Sequence, residues 1–239
     1  MTQDLFREDA YTRDAEATVV SHTPEGGIVL DTSIFYPTGG GQPGDSGTLE
    51  WDGGGLSIAT SVKGDGNSIV LVPAEPRALP SVGARVTQSL DWERRYSHMR
   101  VHTALHLLSV AVPFGVTGGS ISAGRGRLDF DMPDAPENRD EIESVLNNYV
   151  SADLRVGAEW ITEAELDANP DLVKTLSVQP PRGAGRIRLV RIGEGADTVD
   201  LQPCGGTHVA RTGEIGALRI GKIEKKGRMN RRIYLHLDS

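Results

Sequence analysis

The spacing of apolar residues changes character once along the chain. Up to residue 90 the apolar positions fall into six short runs, at 15–20, 28–30, 47–51, 56–62, 68–72 and 84–89, separated by turn-forming stretches. Gly53-Gly54-Gly55 and Gly64-Asp65-Gly66-Asn67 supply the backbone freedom of tight turns. The prolines between residues 73 and 80 restrict that segment to a loop. Short strands at this spacing predict a small antiparallel barrel or a sandwich.

From Asp91 the period lengthens, and Val101, Leu105, Leu108 and Val112 form a helical stripe that stops before Pro113. A second helix is predicted after Pro136, with Ile142, Val145, Leu146, Tyr149 and Val150 on its inner side. Strands are predicted at 127–131, 154–161, 187–192, 217–224 and 231–237, and Gly118-Gly119-Ser120-Ile121-Ser122 has the composition of a ligand-facing turn. Helices set against antiparallel strands define an α+β region. The chain is therefore read as α+β with two domains, a barrel-like one at 1–90 and an α+β one at 91–239.

The 239 residues carry a net charge of −8 and one cysteine, Cys204. This charge excludes a wholly basic nucleic-acid coat, and the lone cysteine excludes a disulfide framework. No apolar run approaches the roughly 20 residues of a membrane-spanning helix. An acidic, mixed N-terminus without an apolar segment predicts a cytoplasmic protein with no membrane partner. Charge is nevertheless segregated, with a net −10 over residues 131–171 and a net +7 over residues 182–232. The second stretch is either a footprint for a phosphate backbone or a solvated basic hairpin.

His102-Thr103-Ala104-Leu105-His106 places two imidazoles four positions apart, hence on one helical face. Cys204-Gly205-Gly206-Thr207-His208 adds a thiolate and a third imidazole across a short loop. Together the four donors match the count and chemistry of a tetrahedral zinc site. The competing reading makes Cys204 a nucleophile activated by a nearby histidine. A metalloprotease is disfavoured because no glutamate lies between the two helical histidines. His98, one turn earlier, is either a substrate contact or an ordinary helix residue, and Asp200 either supports a ligand or solvates its loop. Neither His22 nor His236 belongs to a constellation.

A further segment, Phe35 to Gly47, contains Gly39, Gly40 and Gly41 followed by Gln42. Its amides are suited to an anion-binding nest, and the alternative is a tight loop or domain-contact surface. It lacks the Gly-Lys-Ser/Thr ending of a P-loop. Arg125-Gly126-Arg127 is either a phosphate contact or solvated surface.

The split motif His102-Thr103-Ala104-Leu105-His106-Leu107-Leu108 and Cys204-Gly205-Gly206-Thr207-His208, with the glycine-rich Phe35–Gly47 segment, resembles the editing domain of alanyl-tRNA synthetase and the medium-sized freestanding AlaX family. The resemblance covers essentially the whole chain, to Arg231-Arg232-Ile233. It implies a domain of the threonyl/alanyl-tRNA synthetase additional-domain type, zinc held by His102, His106, Cys204 and His208, and catalysis at those residues. The implied reaction is hydrolysis of the ester in mischarged Ser-tRNA(Ala), and of Gly-tRNA(Ala) as a second substrate, with zinc either orienting the amino-acid end or polarising water. Substrate contacts are expected from Gly39, Gly40, Gly41, Gln42, His98, Ser120, Ser122, Arg127, Thr207, Lys225 and Lys226. The chain departs from the synthetase where it carries Gly119-Ser120-Ile121-Ser122-Ala123 in place of a glutamine-containing segment, which bears on amino-acid discrimination. No amino-acid-activating domain fits before the editing region. The alternative is a noncatalytic tRNA-binding or synthetase-associated module with structural zinc. Self-association and a synthetase partner both stay open.

Overall fold

The computed structural model describes residues 2–176 and 185–238; Arg182, where the basic stretch begins, lies outside them. Two compact units result, Met1–Ser97 and His98–Ser239. No helix among the described residues is long and apolar enough to cross a membrane.

The first unit begins with β1 (Gln3–Asp4) and the short α1 (Leu5–Glu8). It continues through β2 (Asp14–His22), β3 (Ile28–Leu30), β4 (Thr32–Ser33), β5 (Gly47–Trp51), β6 (Gly54–Lys63), β7 (Ile69–Pro73) and β8 (Arg85–Leu90). Six of these close into a barrel in the order β2-β3-β7-β6-β5-β8, so the barrel alternative holds and the sandwich does not. Alternation drives the closure: Val19, Leu49, Leu56, Ile58, Leu71 and Val86 point into one core, joined by Phe6, Phe35 and Tyr36. The β1–β4 pair and α1 carry no apolar run of their own. They form because Phe6 fills the core and because Thr2 Oγ1 donates to the Leu30 carbonyl at 2.8 Å.

The second unit contains most of α2 (Trp92–Ala111), then β9 (Val116–Ser122), β10 (Arg125–Asp131), α3 (Arg139–Ser151), β11 (Val156–Thr162) and α4 (Glu163–Ala168). It ends with β12 (Arg186–Ile192), β13 (Asp200–Pro203), β14 (Leu218–Gly227) and β15 (Asn230–Leu237). The strands form a four-stranded sheet, β14-β15-β10-β9, and a three-stranded one, β11-β12-β13. This is the expected α+β arrangement with one sheet more than the sequence pattern indicated. Val101, Leu105, Leu108 and Val112 are all buried, as the stripe requires. Helix α3 starts where Asn138 accepts from the Glu141 amide at 3.2 Å, and buries Ile142 and Leu146. The expected turn at Gly118–Ser122 is instead part of β9. Its glycines and serines have low strand propensity, but pairing with β10 from Val116 to Ser122 overrides it.

Candidate metal centre

Helix α2 presents His102 and His106 one turn apart, with 8% and 6% exposure. Strand β13 ends at Pro203, so Cys204 is the first residue beyond it. Arg188 Nη1 donates to the carbonyls of Cys204 at 2.9 Å and Gly206 at 3.1 Å, which fixes the turn that brings His208 back. Thr103 ties this turn to the helix: its Oγ1 donates to the Met99 carbonyl at 2.9 Å and accepts from the Val209 amide at 3.2 Å.

The donor atoms of His102, His106, Cys204 and His208 all lie within 4.8 Å of one another. Cys204 Sγ is 3.4 Å from His102 Nε2 and 3.6 Å from His208 Nε2, and the Nε2 atoms of His208 and His106 are 3.2 Å apart. Three ring nitrogens and one sulfur thus converge on a common point, a donor set able to hold a metal ion. Cys204 is half-buried and Gly205 exposed, so the cluster meets solvent on that side.

Behind His106 stands a polar network. Its Nδ1 lies 2.8 Å from Asp200 Oδ2, which also accepts from Gln202 Nε2 at 2.8 Å, while Lys174 Nζ lies 2.5 Å from Asp200 Oδ1. Gln202 Nε2 also reaches Ser109 Oγ at 3.2 Å, and that hydroxyl donates to the His106 carbonyl at 2.7 Å. Holding Nδ1 on a carboxylate directs the Nε2 lone pair at the cluster, the usual support for a metal-bound imidazole. Asp200 is thus withdrawn from water and holds His106, a member of the donor cluster, and does not solvate its loop.

Electrostatics favour the donor forms of two members. Burial alone would raise the Asp200 carboxyl, but the His106 hydrogen bond and charge, with Gln202 and Lys174, hold it down to about 2. Burial would likewise raise the Cys204 thiol, yet the neighbouring His102 and His208 bring it well below its ordinary value. Burial and the charge of His102 push His208 down to about 3, leaving it neutral. His106 behaves oppositely: burial is outweighed by Asp200 and Cys204, and its pKa rises to about 9. A metal entering this set would displace the His106 proton.

The other expected site residues are distributed more widely. His98 is buried one turn before His102, and Thr207 is fully buried within the Cys204–His208 turn. Ser120, Ser122 and Arg127 lie in the β9–β10 pair at alternating positions of one face. Arg127 Nη1 is spent on Asp129 at 2.7 Å. Lys225 and Lys226 stand near the β14–β15 tip, and Lys226 Nζ is 2.8 Å from Glu224.

Within the first unit, Gly39 and Gln42 exchange backbone hydrogen bonds of 3.1 and 2.9 Å around Gly40 and Gly41. The positive φ of those two, 57° and 83°, is that of a two-residue hairpin turn, so the tight loop is what forms. Close approach operates elsewhere in the motif: a Cβ on Gly44 would sit 2.0 Å from the Ser61 carbonyl oxygen, and one on Gly47 would sit 2.1 Å from that of Ser89. Asp45 anchors the segment, its Oδ2 accepting from the Tyr36 amide at 2.6 Å and from Arg95 Nε and Nη2 at 3.0 and 2.6 Å.

Sequence reasoning missed Lys174, Gln202, Arg188 and the Asp45–Arg95 pair. For Gln202 a signal existed, since Asp200, Gln202 and Cys204 alternate at a strand's period of two.

Comparison with known sequences supplies the family. The group described as "Threonyl and Alanyl tRNA synthetase second additional domain" matches residues 187–234, and "tRNA synthetases class II (A)" matches residues 8–94, within the first unit. The chain is 33% identical to alanyl-tRNA editing protein AlaX-M of Methanosarcina acetivorans over 99% of both sequences. It is 34% identical to AlaX-M of Saccharolobus solfataricus over 98% of both. It is also 37% identical to the alanine–tRNA ligase of Pyrobaculum arsenaticum over 94% of this chain, but over only 25% of that enzyme.

Proposed function

As a member of the AlaX-type family of alanyl-tRNA editing proteins, the chain is, we propose, a trans-editing deacylase that hydrolyses Ser-tRNA(Ala), with Gly-tRNA(Ala) as a second substrate. The observation that carries this reading is the gathering of His102, His106, Cys204 and His208 around one point in a chain similar to full-length editing proteins.

We assign the ion as zinc, because a thiolate with three imidazoles is a borderline-soft, tetrahedral donor set. Bound zinc supplies Lewis acidity, used either to orient the amino-acid end or to polarise a water for attack on the ester carbonyl. The chain's own contribution is positional. Asp200, braced by Lys174 and Gln202, holds His106; Arg188 and Thr103 hold the Cys204–His208 turn; and the half-buried Cys204 side leaves an approach for the aminoacyl end. The functional domains are assigned to 1–90 and 91–239, with substrate contacts assigned to Gly39, Gly40, Gly41 and Gln42 in the first and to His98, Ser120, Ser122, Arg127, Thr207, Lys225 and Lys226 in the second. The proposed aminoacyl-tRNA substrate supports a cytoplasmic location.

Four protein donors form a closed set, which is the habit of structural zinc; this favours, as a second reading, a tRNA-binding module without hydrolysis. Single-turnover incubation of zinc-loaded protein with Ser-tRNA(Ala), Gly-tRNA(Ala) and Ala-tRNA(Ala) separates the two. Release of serine faster than alanine is expected. No release from any of the three establishes the binding module, and equal release removes the selectivity.

A further inference from the structure

Within the basic stretch, much of the positive charge on the described residues 186–232 is met inside the fold. Arg191 pairs with Glu159 at 2.9 Å, Arg211 with Asp153 at 2.6 Å, and Arg231 donates to the carbonyls of Gly227 and Asn230 at 2.9 and 3.0 Å. On the four-stranded sheet, Arg232 and Arg127 share Asp129, each at 2.7 Å, and Lys222 and Lys226 share Glu224 at 2.7 and 2.8 Å. Gross charge therefore does not locate a polyanion surface here; uncompensated charge does.

Apart from Lys225 and Arg228 near the β14–β15 tip, one row that crosses all four strands is uncompensated among the described residues. The register places Arg219 of β14 opposite His236 of β15, His236 opposite Arg125 of β10, and Arg125 opposite Ser122 of β9. Among the described residues no carboxylate pairs with Arg125. Arg219 has only Asp238 at 3.9 Å, with both side chains more than half exposed. Arg219 and Arg125 stand two strands apart on one face with His236 between them, like charges on one face of a sheet repel, and local conflicts of this kind concentrate at functional sites. Burial, followed by the charges of Arg219 and Arg125, keeps His236 below its ordinary value, so at neutral pH nothing in the row but the two guanidiniums is charged. Gly221 contributes to the shape: a Cβ there would meet His236 Nε2 at 2.5 Å and Tyr234 Cβ at 3.0 Å, so only glycine leaves the imidazole its place.

Resting on the deacylase reading above, we propose that the Arg219–His236–Arg125–Ser122 row docks backbone phosphates of the tRNA substrate. Strands about 4.8 Å apart set the two arginine positions roughly 10 Å apart across the row, a span that two long side chains close onto one phosphate or onto neighbouring ones. The opposite face of this sheet packs on α2, where a Cβ on Gly126 would meet Val101 and Leu105 at 2.7 and 3.0 Å. The row thus faces away from the helix that carries His102 and His106, and its contribution is to substrate capture and not to ester cleavage. Nucleic-acid readers divide labour in the same way, with phosphate contacts positioning the strand.

The test uses the full chain with Arg125→Gln and Arg219→Gln combined, beside the charge-preserving Arg125→Lys and Arg219→Lys pair. Affinity for tRNA(Ala) is measured across a salt series, together with hydrolysis of Ser-tRNA(Ala) and of a minimal ester, 2′(3′)-O-seryl-adenosine, which has no phosphate. Removal of the charges is expected to weaken tRNA binding about tenfold and to lower the salt slope by about 1.5 to 2, the value for two phosphate contacts. Ser-tRNA(Ala) hydrolysis falls at limiting enzyme and recovers at saturation, seryl-adenosine hydrolysis is unchanged, and the lysine pair keeps the slope. Unchanged affinity and slope overturn the proposal, and so does an equal loss on seryl-adenosine, which identifies a structural role. If the wild-type chain cleaves no ester while the charge removal still lowers the slope, the docking row stands and the deacylase reading falls.

Discussion

Asp45 in the first unit and Asp200 in the second are both carboxylates almost wholly withdrawn from water, at 1% and 2% exposure, and each is held by three donors. What differs is where the partners lead. Arg95, which clamps Asp45, spends its remaining donors on the Ala10 and Ile34 carbonyls at 2.9 and 2.5 Å, so that network closes on backbone and fixes the course of the chain. The network of Asp200 ends instead on a ring whose second nitrogen faces the cluster, and on Lys174, whose side chain is 30% exposed. A buried charge whose partners terminate in backbone is architecture; one whose partners terminate in free donor atoms serves a site.

Perturbing each network tests that contrast. Loss of a donor through Cys204→Ala or His208→Ala is expected to have the largest effect: deacylation reduced by about a thousandfold or more, on the scale of removing a principal catalytic element, with bound metal lost as read by metal analysis. Retained activity in a metal-depleted variant would break the contrast at its functional end. Asp45→Ala comes next. Orphaning Arg95 should cost about 3–5 kcal/mol of stability in denaturant unfolding, while the folded fraction still binds metal. Asp200→Asn should show the converse pattern, with metal affinity lowered about 10- to 100-fold and a much smaller change in unfolding midpoint. A stability loss as large as that of Asp45→Ala would erase the distinction. The smallest effect is expected at Gly40→Ala, which places an L-residue at φ 57° where its Cβ would meet only the Tyr36 hydroxyl, at 3.9 Å, and costs about 1 kcal/mol. Gly44→Ala should cost visibly more, because its Cβ would collide with the Ser61 carbonyl; equal melting shifts for the two would refute that division of labour within the motif.

These cases also show what was legible in the sequence. The four donors were readable because two short motifs each concentrate them, and an all-β first region because short apolar runs recur between turn-forming stretches; Ile28–Leu30 and Ile69–Leu71, buried at every position, carry no alternation that would choose a barrel over a sandwich. Lys174, Arg188 and the Arg95–Asp45 pair were not readable, since their roles arise from contacts between segments 16 to 50 positions apart that no local pattern marks. The glycine motif was visible as composition, but its division into turn glycines at 40 and 41 and clearance glycines at 44 and 47 depends on which strand lies alongside. Strand β9 was hidden for a similar reason, its pairing with β10 prevailing over turn-like residues.

The donor halves also have a kinetic consequence. His102 and Cys204 are 102 positions apart, so the cluster closes only after β12 and β13 have formed and docked on α2. Contacts of such separation are slow to nucleate because loop closure must be met before they return any stabilisation. The centre is therefore a late event in folding, and its ion, once bound, acts as a non-covalent cross-link favouring the folded chain by mass action. The His102–His106 half needs only a helix turn, whereas the Cys204–His208 half, also four positions long, needs Arg188 to fix its turn, which makes the former the first place where a nascent chain would meet the metal.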